Sequence, residues 1–185
     1  MRIFSAFQIS PEVTAEAKRI QNELRKNWPG TQLRFTAPEA QHVTLNFFGE
    51  VNAGELEKII EATRLVAHEI QAFNFELQDI IGLPPSNQAR SIVIGLHEID
   101  TNYSIRLYDA VRQKLNTQNV LTPDRPWTPH LTLARVKGSE SFAIPPHAVA
   151  VKKIIWPVTS VDIIESKLTA NGPEHTTLTT IPFNQ

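Results

Sequence analysis

The sequence predicts an α+β fold of two packed lobes related by a pseudo-twofold axis, each with a mainly antiparallel sheet and flanking helices. Three observations predict it. Stretches with the two-residue period of a strand alternate along the chain with stretches of helical period. Laid over itself with a shift of 88, the chain pairs His42 with His130, Thr44 with Thr132, Pro38 with Pro126 and Arg2 with Arg90. Each half of a 185-residue chain is too small for a deep core of its own, so residues 1–185 are expected to form a single unit with a cleft between its lobes.

Residues Arg2 to Ile9 alternate and read as a strand. Behind them "SPEVTAEAKRIQNELRKNW" carries a helix, with Ser10 as cap, Pro11 at the first helical position and Val13, Ala17, Ile20 and Leu24 on one face. A short strand follows at Leu33 to Phe35, then a loop "TAPEAQ" and a strand that begins at His42 and stops near "GEV". Asn52 and Glu55 make a capping-box pattern that opens a second helix, whose Leu56, Ile59, Ile60, Ala67 and Ile70 share a face. Phe73 to Leu83 returns to strand, "LPPSNQ" breaks it, "ARSIVIGL" is the next strand, and a helix runs from Tyr103 to Leu115. Pro123, Pro126 and Pro129 hold an extended approach to the strand that starts at His130. Beyond it come a turn or short helix near Pro145 and Pro146, a long apolar strand region from Lys152 to Leu168, an "NGP" turn, and a terminal strand through Leu178 to Phe183.

Composition narrows the function. Hydrophobic residues are 41% and charged ones 20%, with 18 basic against 19 acidic side chains, the balance of a soluble globular protein. A net charge of −1 supplies no long-range pull on polyanions, so phosphate affinity is expected to be local and a nucleic-acid end is favoured over a long track. The absence of cysteine excludes a disulfide framework and a thiolate nucleophile and is compatible with the cytoplasm, the expected location. The start "MRIFSAFQIS" lacks the features of a signal peptide, and no stretch approaches about 18 consecutive apolar residues, so no membrane span is expected.

The chemistry is written in the repeated element, "HVTL" at residues 42–45 and "HLTL" at 130–133. Alternation along a strand gives His42 and Thr44 one face and Val43 and Leu45 the other, and the same holds for His130 and Thr132 against Leu131 and Leu133. The apolar pair anchors each strand while imidazole and hydroxyl face the cleft. Two histidines with ordinary pKa values near 6.5 can stand one neutral and one protonated, as a general base and general acid pair requires. Threonine hydroxyls beside them can donate to non-bridging phosphate oxygens. By composition, on the order of 0.1 chance occurrences of this four-residue pattern are expected, whereas two stand here, each four residues after a proline.

With "PEAQHVTLNFFGEV" around the first motif, "RPWTPHLTLARVKG" around the second, "MRIFSAF" at the start and "ESKLTANGPEH" near the end, the chain resembles the 2H phosphoesterase superfamily. Within it the chain is most similar to the RNA 2′,3′-cyclic phosphodiesterases, also called 2′-5′ RNA ligase-like proteins. The resemblance implies hydrolysis of a 2′,3′-cyclic phosphate to a 2′-phosphomonoester without metal or other cofactor. It implies His42 as the general acid on the departing 3′ oxygen, His130 as the base that activates water, and Thr44 and Thr132 as phosphate contacts. The expected partner is an RNA 3′ end or a small nucleotide bearing the cyclic phosphate, acted on by a monomer. Family members often carry a basic residue where this chain has Asn46, another where it has Thr128, and a tyrosine near His175.

Three further residues are candidates for substrate contact. Arg135 offers a cation to phosphate, although strand parity sets it opposite His130 unless a bulge intervenes. Phe48 shares the parity of His42 and could stack a base. His175 follows a turn near the family's late tyrosine. His68, His97 and His147 read as surface or structural, and no spacing suggests a metal site. Two other functions use the same features: cleavage or ligation of 2′,5′-linked oligonucleotides, and a non-catalytic module that binds RNA ends or nucleotides.

Overall fold

A computed structural model describes residues 1–28, 33–85, 88–120, 122–123, 126–137, 149–169 and 172–184. The turn or helix expected near Pro145 and Pro146, His147, and part of the "NGP" turn lie outside these residues. The first half of the chain runs β1 (Arg2–Phe7), α1 (Pro11–Asn27), β2 (Leu33–Phe35), a single 3-10 turn at Pro38–Ala40, β3 (Val43–Glu50), α2 (Ala53–Ala67) and β4 (Phe73–Leu83). The second half runs β5 (Ser91–Ile99), α3 (Tyr103–Thr117), β6 (His130–Val136), β7 (Ile155–Val158), β8 (Ser160–Thr169) and β9 (Gly172–Pro182).

Local chemistry starts the helices where the sequence places them. The Ser10 hydroxyl accepts the Val13 N–H at 3.2 Å, Pro11 follows without an N–H to satisfy, and Val13, Ala17, Ile20 and Leu24 are fully buried. At α2 the Asn52 side chain accepts from the Glu55 N–H at 3.0 Å while the Glu55 carboxylate accepts from the Asn52 N–H at 2.8 Å, closing the capping box. Helix α3 is capped differently. Glu98, at the end of β5, accepts from the Tyr103 N–H at 2.5 Å and the Ser104 N–H at 2.9 Å, so a strand residue neutralises the helix's positive end.

The strands form two antiparallel sheets, ordered β3-β1-β8-β9 and β2-β6-β5-β4-β7. Each half of the sequence contributes to both. β2 and β4 join the second sheet and β8 and β9 the first, so the lobes interlock. The core-facing sides of both sheets and the helices pack into one apolar cluster. Phe7 is its hub, with ring contacts to Phe73 at 5.6 Å, Phe75 at 6.0 Å, Phe183 at 6.2 Å and Trp127 at 6.4 Å.

Three expectations change. The apolar run from Lys152 to Leu168 is two strands, because β7 pairs with β4 in one sheet and β8 with β1 in the other, the chain changing sheets at Thr159. Pro157 cannot donate to a ladder, which confines β7 to an edge. The last strand begins at Gly172, since its early residues face solvent and carry too little apolar alternation to be seen. In the first half Ala6 faces Thr44 across the ladder, and in the second Val93 faces Thr132. The first strands of the two halves therefore correspond with a shift of 87 rather than 88, and Arg2 and Arg90 are not equivalents; a slip of one residue exchanges the faces of a strand.

Candidate active site

Strands β3 and β6 approach one another from the two sheets, and the Trp127 indole N–H donates to the Thr44 carbonyl at 2.9 Å, tying the lead-in of the second motif to the strand of the first. Val43, Leu45, Leu131 and Leu133 are buried in the core, leaving His42, Thr44, His130 and Thr132 on the cleft side. Across the ladders Ala6 stands opposite Thr44 and Gly95 opposite His130.

Each imidazole is held by the carbonyl two residues before it. His130 Nδ1 lies 2.7 Å from the Thr128 oxygen, and because a carbonyl only accepts, Nδ1 carries the proton and Nε2 is left for chemistry. The His42 ring makes the corresponding bond to the Ala40 carbonyl. His42 also stacks on Phe4 at 4.8 Å and meets the edge of His175 at 5.1 Å; His175 in turn touches Phe4 at 5.1 Å.

This packing sets the electrostatics. Burial pushes the His42 pKa down to about 4, helped by the charge of His175, opposed by the bond to Ala40, and lowered further by Arg135 and His130. Burial also lowers His175. An unfolded chain would protonate His42 near pH 6.5, so between that pH and about 4 it binds a proton that the native state refuses, and stability falls as pH falls through this window. In urea melts at pH 7 and pH 4, His42→Asn is expected to lose less stability than the wild type by about 1–3 kcal/mol. Equal losses would mean that His42 is not held neutral.

Strand bulges decide which other candidates join the site. In the β5/β6 pair the register steps from Val93–Thr132 to Ile92–Ala134, leaving Leu133 as an extra residue. That bulge turns Arg135 onto the face of His130, and its charge reaches His42. His175 joins through its ring contact. Phe48 does not. In the β1/β3 pair the register steps from Ala6–Thr44 to Phe4–Phe47, and that one extra residue on β3 reverses the parity of Phe48 and buries it in the main core at 7% exposure. Phe47 takes the cleft side instead, packed against Phe4, Ala6 and Ile164 with Arg2 over its ring at 5.0 Å. Asn46 is buried and its N–H donates to the Ser5 hydroxyl at 3.1 Å, a structural tie across the bulge.

Phe4 and Phe47 are residues beside the site that strand parity overlooked, since both depend on register. His68 and His97 are exposed, as expected. Among the described residues no three His, Cys, Asp or Glu side chains converge as metal ligands, and no helix is long and apolar enough to cross a membrane.

Residues 7–93 match the family described as LigT like Phosphoesterase. The chain is 30% identical over 137 residues to the RNA 2′,3′-cyclic phosphodiesterase of Archaeoglobus fulgidus, covering 74% of this chain and 73% of that protein. It is 26% identical over 183 residues to the enzyme of that name from Methanothermobacter thermautotrophicus, 95% of each chain. Among solved structures it superposes on a Thermus thermophilus protein with a TM-score of 0.86 at 26% identity, over 99% of this chain and 98% of that one. The apo form of E. coli LigT gives 0.72 at 25% identity, over 100% and 98%.

Proposed function

The chain belongs to the LigT-like phosphoesterase family of the 2H superfamily, and from that premise we propose that it hydrolyses the 2′,3′-cyclic phosphate at an RNA 3′ end, or on a nucleotide, to a 2′-phosphomonoester. One observation carries the reading: the two motif histidines stand on strands of different sheets, each pinned by its own carbonyl and close enough for one charge to act on the other.

In the proposed step His130 Nε2 takes a proton from water as the water oxygen bonds to phosphorus. The bond from phosphorus to the 3′ oxygen breaks, and His42 delivers a proton to that oxygen. Thr44 and Thr132 donate to the non-bridging oxygens and Arg135 offsets their charge. His175 supports the His42 ring and lines the substrate side. Before substrate binds, His42 is neutral near pH 7, and the charge of a bound phosphate shifts it toward the protonated form that an acid needs. We place the enzyme in the cytoplasm, working as a monomer and without a metal ion.

The test is incubation with a nucleoside 2′,3′-cyclic phosphate in the presence of chelator, with the product separated by chromatography. A 2′-phosphomonoester is expected. A 3′-phosphate would exchange the leaving oxygen, and no product would exclude the reading.

A further inference from the structure

Strand β2 lies at the edge of the second sheet, and its register with β6 sets Arg34 directly opposite Arg135. Its neighbours Leu33 and Phe35 pack on the core, with Arg25 4.1 Å above the Phe35 ring, so Arg34 points the other way, onto the face that the bulge gives to Arg135. Arg34 Nη2 lies over the backbone of Gly172, where a β-carbon would stand 2.6 Å from it. Gly172, at φ 124°, opens β9 three residues before His175, whose ring touches His42. The guanidinium therefore reaches from the edge of one sheet to the β8–β9 hairpin of the other, flanking the cleft on the side of His175.

Like charges directly opposite on adjacent strands repel. Among the described residues neither Arg34 nor Arg135 forms an ion pair with a carboxylate, in a chain with 19 acidic residues to draw on. An anion would relieve that repulsion. The reacting cyclic diester carries a single negative charge and is already met by two histidines, two threonines and Arg135, so Arg34 exceeds what it needs. Arg34 lies one strand spacing, about 4.8 Å, to the side of Arg135 on the edge strand, so its side chain can reach a phosphate neighbouring the one that Arg135 meets.

We propose that Arg34 binds the internucleotide phosphate that precedes the cyclic end, which makes an RNA oligonucleotide, rather than a lone nucleotide, the preferred substrate. The inference rests on the phosphodiesterase reading above. A guanidinium suits this task, since its fork pairs with two phosphate oxygens at once.

The test compares kcat/KM for a short RNA ending in a 2′,3′-cyclic phosphate with that for the matching nucleoside 2′,3′-cyclic phosphate, in wild type and Arg34→Gln. The wild type is expected to favour the RNA, and Arg34→Gln to reduce that preference roughly tenfold. For the RNA, the slope of log kcat/KM against log salt should become shallower by about 0.7 in the variant, the share of one phosphate contact on a single strand. An unchanged preference, whether both substrates slow together or neither does, overturns the inference and leaves the phosphodiesterase standing. Hydrolysis of neither substrate by the wild type removes that reading and the subsite with it.

Discussion

His42→Ala and His130→Ala are each expected to lower turnover of a 2′,3′-cyclic phosphate by at least about 10²-fold while the protein remains folded, because general acid–base catalysis is typically worth 10² to 10⁴. Both rings sit at the cleft rather than inside the main core, so truncation leaves the packing of Val43, Leu45, Leu131 and Leu133 in place. The pH profile separates the partners. Losing the acid should remove the alkaline limb, and losing the base the acidic limb. Direction can be read with an aryl phosphodiester, whose leaving group departs without a proton. On that substrate His42→Ala should be far less damaging than His130→Ala. The opposite order would exchange their roles, and near-normal activity of either variant on the cyclic phosphate would end the two-histidine mechanism.

Phe7→Ala is expected to reduce stability by about 3–5 kcal/mol, the range for emptying a buried aromatic position. Phe7 is fully buried, and its ring joins β1 of the first sheet to Phe73 and Phe75 on β4 of the second, to Phe183 beyond β9, and to Trp127 before β6. Trp127 also bonds the strand of the first histidine. The cavity thus opens at the joint that sets one sheet against the other, and kcat should fall in the variant under conditions where it remains folded. Urea denaturation followed by tryptophan fluorescence measures the first effect and single-turnover kinetics the second. A loss below about 1 kcal/mol would show that the sheets do not depend on this contact.

Much of the fold was legible because its signals are local. Ser10 with Pro11, and Asn52 with Glu55, act within four residues of themselves, and both caps form where the sequence puts them. The cap of α3 was not legible, because its acceptor Glu98 arrives from the end of a strand across an intervening turn. The run from Lys152 to Leu168 looked continuous since both its pieces are apolar, and only the partners available on either side of Thr159 divide it between two sheets.

The site divides along the same line. Strand alternation brought His42 with Thr44 and His130 with Thr132 to one face each, and the repeat of the motif implied that the two faces meet. By itself the sequence determined the two repeated His-x-Thr motifs, the family and most element boundaries, since side-chain chemistry and short-range periodicity are properties of a few neighbouring residues. Tertiary structure alone decided that Phe48 is core and Phe47 is not, that Arg135 turns to the cleft, that Arg34 stands across from it, and that His175 leans on His42. Each of these follows from strand register, where one extra residue reverses every side chain beyond it, and register is settled only when distant strands pair.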